Sequence, residues 1–171
     1  MAAKAPARGW WWNCRWAPMT EVNIHASCVA LGAQGVLLLG KPGAGKSDLS
    51  LRLIDEGARL VADDRTILFT RHGRLYGKSP DSIRGLIEIR GLGIVELPSR
   101  ADVKIALVVK LGREDVRLPV HHRFQAPRGL SVLTPPPEIL LNGHNASSPA
   151  RIRAALAAFS KGLFRDTFVP K

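Results

Sequence analysis

The sequence predicts an α/β domain with a mixed sheet and flanking helices, and three features carry that expectation. The run VLLL at 36–39 is apolar throughout rather than alternating, the pattern of a strand buried on both faces. A helical pattern, KSDLSLRLIDEG, comes next, and a second short apolar run, RLVAD, follows it. Strand, helix and strand in that order form a parallel crossover unit.

Taken in order, VNIHASCVALGAQGVLLLG reads as two strands around a Gly-containing turn. The helix after it has Leu49, Leu51, Leu53 and Ile54 as its apolar positions, and Gly57 as its C-terminal stop. RTILFTRHGRLYGK reads as a hairpin turning at His72-Gly73. ADVKIALVVKLG is a further strand, and SPARIRAALAAFSKGLF is a helix started by Ser148 with Pro149 at its first position. The Pro-rich stretch between them, residues 119–147, reads as a linker that wraps the surface or docks on a partner chain. No internal repeat is apparent.

The chain has 171 residues, room for one ordinary domain, which is expected over residues 19–171. Residues 1–18 differ from the rest: they hold three basic residues, no acids and all four tryptophans, at Trp10, Trp11, Trp12 and Trp16. No apolar run there approaches the roughly 20 residues of a membrane span, and a secretory signal would need a longer aliphatic core. A disordered leader is the preferred reading, with an aromatic binding patch as the alternative. The formal net charge is +11, with the basic residues spread along the chain. That spread fits an acidic partner, either phosphates or an acidic protein face, and equally a plain compositional bias. Cys14 and Cys28 show no CxxC or zinc-like spacing, which fits a reducing cytoplasm.

The chemistry is concentrated in three places. Gly40, Gly45, Lys46 and Ser47 satisfy G-x-x-x-x-G-K-[ST] between a buried strand and a helix, the context of a phosphate-binding P-loop. The loop Gly40, Lys41, Pro42, Gly43, Ala44, Gly45 is expected to turn its backbone N–H groups toward phosphate oxygens, aided by the helix dipole. Lys46 would reach the β- and γ-phosphates and Ser47 would ligate Mg²⁺, while Asp48 is read as first-turn dipole stabilisation. Asp63 and Asp64 end the strand RLVADD, one crossover away, where strand ends line the ligand crevice. One of them can serve the metal and the other the acceptor hydroxyl; neighbouring carboxylates also raise each other's proton affinity, which suits a base. In LIEIRGLGIVEL, residues 86–97, Glu88 and Arg90 share one face of an extended segment, with Gly91 and Gly93 around Leu92. Glu88 is a candidate metal ligand and Arg90 a candidate stabiliser of phosphate charge; a solvated strand with a bulge is the alternative.

The ordered set HAS, GKPGAGKSDLSLRLIDEGARLVADD and EIRGLGIVEL, over about residues 23–118, resembles the catalytic domain of HPr kinase/phosphorylase, the bacterial serine kinase of the phosphotransferase-system phosphocarrier HPr. The resemblance implies a P-loop kinase fold of the HPr kinase/phosphoenolpyruvate carboxykinase-like type, with ATP and Mg²⁺ as cofactors. It implies that the aspartate pair supplies the general base for the serine hydroxyl, with Asp64 preferred over Asp63. It implies Glu88 as a metal ligand and a catalytic role for the Arg90 loop. His25 matches the histidine of the family's HG element, although Ala26 stands where the family commonly has Gly. Arg117, in VRLP, is the best match to an arginine ahead of the family's PGRN-like loop, a motif not recognisable in LPVHHRFQAPRGL.

The likeness is to the short, catalytic-domain-only form of alphaproteobacterial type. It implies an HPr-type phosphocarrier as partner, no nucleic acid, no membrane span, a cytoplasmic location and a homohexamer. The last helix bears an apolar stripe of Ile152, Leu156, Phe159 and Leu163, to be covered by the chain's own core or by a neighbour. A small-molecule P-loop kinase and a nucleotide-sensing regulator without phosphotransfer are the alternatives. A GTPase lacks support, since no N-K-x-D element is present.

Overall fold

The computed structural model describes residues 20–113 and 119–164; the expected leader over 1–18 and the candidate Arg117 lie outside them. Strands β1 (Glu21–His25), β2 (Ser27–Leu31) and β3 (Gln34–Leu39) precede helix α1 (Lys46–Asp55). After it come β4 (Arg59–Ala62), β5 (Arg65–Arg71) and β6 (Arg74–Lys78), then β7 (Leu86–Ile89), β8 (Gly93–Glu96) and β9 (Asp102–Leu111). Strands β10 (His122–Arg123) and β11 (Pro137–Leu141) lead into helix α2 (Ser148–Lys161).

A mixed sheet runs in the order β1-β5-β6-β9-β3-β2-β4, with β11 pairing β9 in parallel and β10 pairing β11. Strand β3 is parallel to β9 and antiparallel to β2, which is antiparallel to β4. The first and third members of the crossover unit, β3 and β4, are therefore parallel as expected, but β2 lies between them. The expected first strand is two strands in different parts of the sheet: β1 pairs with β5, and β2 with β3 and β4. The break is Ala26, fully buried, whose N–H donates to the Asp64 carbonyl at 3.1 Å while its own carbonyl accepts from Thr66 Oγ1 at 2.8 Å. One residue joins β1 to β2 and two join β4 to β5, yet each pair of strands lies far apart in the sheet order. The sheet must fold over on itself so that these links can close.

Two apolar cores result, one on each side of β3 and β9. Val36, Leu38, Leu107 and Val109 pack with Leu49 and Leu53 of α1 and Ile152 and Leu156 of α2. Leu37 and Val108, on the opposite face, pack with Cys28 of β2 and Val61 of β4 and with Leu68 of β5 and Leu75 of β6. Burial on both faces is why VLLL shows no alternation.

Helix α1 ends as expected. Gly57 has φ 95°, and the Ala58 N–H donates to the Leu53 carbonyl at 2.9 Å, closing the last turn. The β5–β6 hairpin turns at His72 and Gly73, with φ 50° and 68°, the left-handed pair that a two-residue turn requires. At α2 the cap position is Ser147 rather than Ser148. The Ser148 hydroxyl is buried and donates to the Asn142 carbonyl at 2.7 Å, tying the helix to the loop before it. The Pro-rich stretch expected to be a linker contains β11, a strand of the main sheet whose Pro137 stands at its first position, where a missing N–H costs least. In the stripe on α2, Ile152 and Leu156 are buried in the chain's own core, Phe159 is half-buried and Leu163 is exposed beyond the helix end. Among the described residues no helix is long and apolar enough to cross a membrane.

Candidate active site

The P-loop follows β3 directly. Its shape depends on Gly43 at φ 79° and Gly45 at φ 89°, values that residues with a Cβ rarely adopt. Those turns flip alternate peptide units, so the loop can present N–H groups on one side and carbonyls on the other. The Lys46 side chain is almost wholly buried, and its ammonium donates to the carbonyls of Gly40 at 3.0 Å and Lys41 at 3.3 Å. Burial lowers the Lys46 pKa, while the charges of Asp64 and Asp63 act the other way. Both carboxylates are thus near enough to act on the P-loop ammonium.

Strand β4 stops at Ala62, and the two aspartates form the tight link to β5 rather than its continuation. Asp64 has φ 61°, a left-handed conformation that Asp tolerates better than most side chains. The consequence is a division between the two. Asp63 is 4 % exposed, and its Oδ1 accepts from Ser27 Oγ at 2.7 Å and Ser47 Oγ at 3.0 Å. Its Oδ2 accepts the backbone N–H of Glu88 at 3.3 Å. Asp64 keeps 69 % of its side chain exposed and holds His25 Nε2 at 3.1 Å, with Arg65 Nε at 4.0 Å. His25 arrives there because β1 pairs with β5 so that His25 is opposite Arg65.

The β7–β8 hairpin contributes through its backbone. Pairing of Glu88 with Ile94 sets the hairpin, and the exposed Glu88 carboxylate lies outside the Asp63 hydrogen-bond set. Arg90 is exposed at the turn, where Gly91 and Gly93 have φ 87° and 102°. Leu92 and Ile94 project into solvent at 77 % and 74 % exposure.

Among the described residues no group of three or more His, Cys, Asp and Glu side chains is arranged to hold a metal ion. Two hydroxyls, Ser27 and Ser47, converge on one carboxylate, Asp63, and Ser47 is the one that belongs to the P-loop. Hard oxygen donors in that number fit Mg²⁺, which keeps most of its waters and completes its shell with substrate phosphates. Zinc or iron would need a denser set of nitrogen or sulfur ligands.

The sequence reading named Lys46, Ser47, Asp63, Asp64 and His25, and the structure brings these together. It missed Ser27, the shortest contact of Asp63, because a serine inside an apolar strand carries no local signal. It also missed the loop at 142–148, which lies against the P-loop. The Gly143 and Asn145 carbonyls accept from Arg52 of α1, itself ion-paired with Asp48 at 2.9 Å, and His144 Nε2 lies 3.2 Å from the Gly43 carbonyl.

Residues 17–121 match the profile of the family described as the HPr Serine kinase C-terminal domain, so the match stops short of that loop. The HPr kinase/phosphorylase of Clostridium tetani is 40% identical over 90 residues, which are 53% of this chain and 30% of that protein. The HPr kinase/phosphorylase of a Thermoanaerobacter species (strain X514) is 42% identical over 103 residues, 56% of this chain and 34% of that protein. The chain thus spans about a third of the length of these curated relatives. The solved structure of the Hpr(Ser) kinase/phosphatase from Coxiella burnetii superposes with a TM-score of 0.67 at 27% identity, covering 83% of this chain and 92% of that one.

Proposed function

The chain belongs to the HPr serine kinase family, and we propose that it is an Mg²⁺-ATP-dependent protein-serine kinase acting in the cytoplasm on an HPr-type phosphocarrier. The observation that carries the reading is the division of labour between the adjacent aspartates. Asp63 is buried against Ser47 of the P-loop, and Asp64 is open to solvent and gripped by His25.

In this reading the P-loop N–H groups and Lys46 hold the triphosphate, and Ser47 and Asp63 hold Mg²⁺. The metal, when bound, neutralises phosphate charge. Ser27 and the Glu88 N–H fix both oxygens of Asp63, so that carboxylate cannot swing away. Asp64 accepts the proton of the acceptor serine hydroxyl as its oxygen attacks the γ-phosphorus, and ADP leaves. His25 orients Asp64. By resemblance Glu88 is a further metal ligand and Arg90 and Arg117 are catalytic; the Glu88 carboxylate is exposed, and its backbone N–H is the group that reaches Asp63.

A protein acceptor is favoured over a small molecule because the base is open rather than enclosed, and because two large apolar side chains, Leu92 and Ile94, stand exposed on the hairpin anchored to Asp63. A regulator without phosphotransfer has no use for an exposed carboxylate beside the P-loop. Self-association into a closed homo-oligomer belongs to the proposal through the family likeness, although the α2 stripe gives it no support. Transfer of radiolabelled phosphate from ATP to a purified phosphocarrier, lost on changing its acceptor serine to alanine, tests the reading.

A further inference from the structure

A P-loop cradles phosphate only while its flipped peptide units stay flipped, and each flip sends a carbonyl outward that needs a donor of its own. The carbonyl of Gly43 has one: His144 Nε2, at 3.2 Å, from a loop 101 residues further along the chain. That loop is built to approach. A Cβ on Gly143 would stand 2.3 Å from the Ala44 carbonyl oxygen, so only glycine permits this contact between backbones. On the other side, the His144 ring lies 3.1 Å from where a Gly45 Cβ would be.

The loop is also held at both ends. Arg52, anchored to Asp48 on α1, donates to the carbonyls of Gly143 and Asn145. At the other end Ser148 Oγ donates to the Asn142 carbonyl, Asn142 Oδ1 accepts the His144 N–H at 3.0 Å, and the Ser148 N–H donates to Asn145 at 3.0 Å. The helix that begins at the P-loop and the helix that begins at Ser148 therefore grip one loop between them, and that loop presses on the phosphate cradle.

We infer that residues 142–148 are a buttress that fixes the P-loop in its phosphate-binding shape, with His144 as a nucleotide-positioning residue acting through the Gly43 carbonyl. This rests on the kinase reading only in taking the bound anion to be a nucleoside triphosphate. His144 touches the loop at a backbone carbonyl and not at its N–H groups, so its role is to set the affinity for the nucleotide and not to take part in transfer.

The test uses the full chain with His144→Ala, His144→Gln and Gly143→Ala. Losing one hydrogen bond that holds the loop should weaken Mg²⁺-ATP binding by calorimetry about fivefold in His144→Ala. The kcat at saturating Mg²⁺-ATP should stay within about twofold, since the contact forms before and after transfer alike. His144→Gln, which keeps an N–H donor, should restore affinity, and Gly143→Ala should weaken it at least as much as His144→Ala. In nucleotide-free protein, hydrogen exchange of the amides of residues 40–48 should quicken in His144→Ala and Gly143→Ala relative to the rest of the chain. Unchanged affinity together with unchanged exchange in His144→Ala would overturn the buttress, as would a loss that glutamine does not rescue. A wild-type chain that binds no nucleotide would instead remove the kinase reading, and the exchange rates would still decide the buttress.

Discussion

The hydroxyl of Ser47 donates to Asp63 Oδ1 at 3.0 Å, joining the end of the P-loop to the β4–β5 link across 16 residues. The same oxygen takes the Ser27 hydroxyl, so the carboxylate is fixed from helix α1 and strand β2 at once. Asp63→Asn should then abolish the tightening of ATP binding by Mg²⁺ while leaving metal-free nucleotide binding largely intact. It should also lower unfolding stability by about 1–3 kcal/mol, because a buried acceptor becomes a mismatched donor. Calorimetric titration with and without Mg²⁺, and urea unfolding, check the two parts.

Asp64 and His25 form a second pair, 3.1 Å apart and far more exposed. Asp64→Asn should cut phosphate transfer ~10²-fold or more with ATP affinity unchanged. His25→Ala should cost less, about tenfold, since the base remains and only its orientation is lost. In the double variant the losses should not add, because His25 acts through Asp64. A double variant much slower than Asp64→Asn alone would give His25 a separate role.

Lys46 carries a cost in the free protein. Its pKa lies below the ordinary 10.5 because the ammonium is buried. A lysine with a depressed folded pKa binds fewer protons folded than unfolded across the interval beneath that value, so stability rises with pH there. Lys46→Met lacks that penalty. Its melting temperature, relative to wild type, should be most favourable at neutral pH and lose that advantage as pH rises toward 10.5, while ATP binding is lost throughout. Thermal melts at several pH values read the trend, and a fixed offset would contradict it.

Leu92 and Ile94, both more than two-thirds exposed at the β7–β8 turn, should matter to the protein acceptor alone. Replacing both with serine should raise the KM for the phosphocarrier several-fold and leave the KM for ATP unchanged. Equal effects on both substrates in steady-state kinetics would place the hairpin at the nucleotide.

The parts of the site that could be read from sequence are those whose chemistry is local. GKPGAGKS sets its own backbone by glycine spacing, and the flanking strand and helix supply the context. The aspartate pair was legible as a pair, but its division was not: it comes from the left-handed turn at Asp64 and from Ser27, 36 residues earlier. The split between β1 and β2 at Ala26 was hidden because both halves are apolar enough to read as one strand. Strand β11 was masked by the prolines before it, and His144 by a reach of 101 residues that no periodicity records.

The central claim is that Asp64, not Asp63, takes the serine proton. The most direct measurement is single-turnover transfer of radiolabelled phosphate from Mg²⁺-ATP to purified phosphocarrier, for wild type, Asp64→Asn and Asp63→Asn at saturating nucleotide and metal, with Mg²⁺-ATP binding measured beside it by calorimetry. The account predicts that Asp64→Asn binds Mg²⁺-ATP like wild type yet transfers ~10²-fold more slowly or worse, and that the loss in Asp63→Asn goes with its loss of Mg²⁺-dependent binding. Near wild-type transfer by Asp64→Asn, with transfer lost in Asp63→Asn at unchanged Mg²⁺-ATP affinity, would contradict it and exchange the two roles.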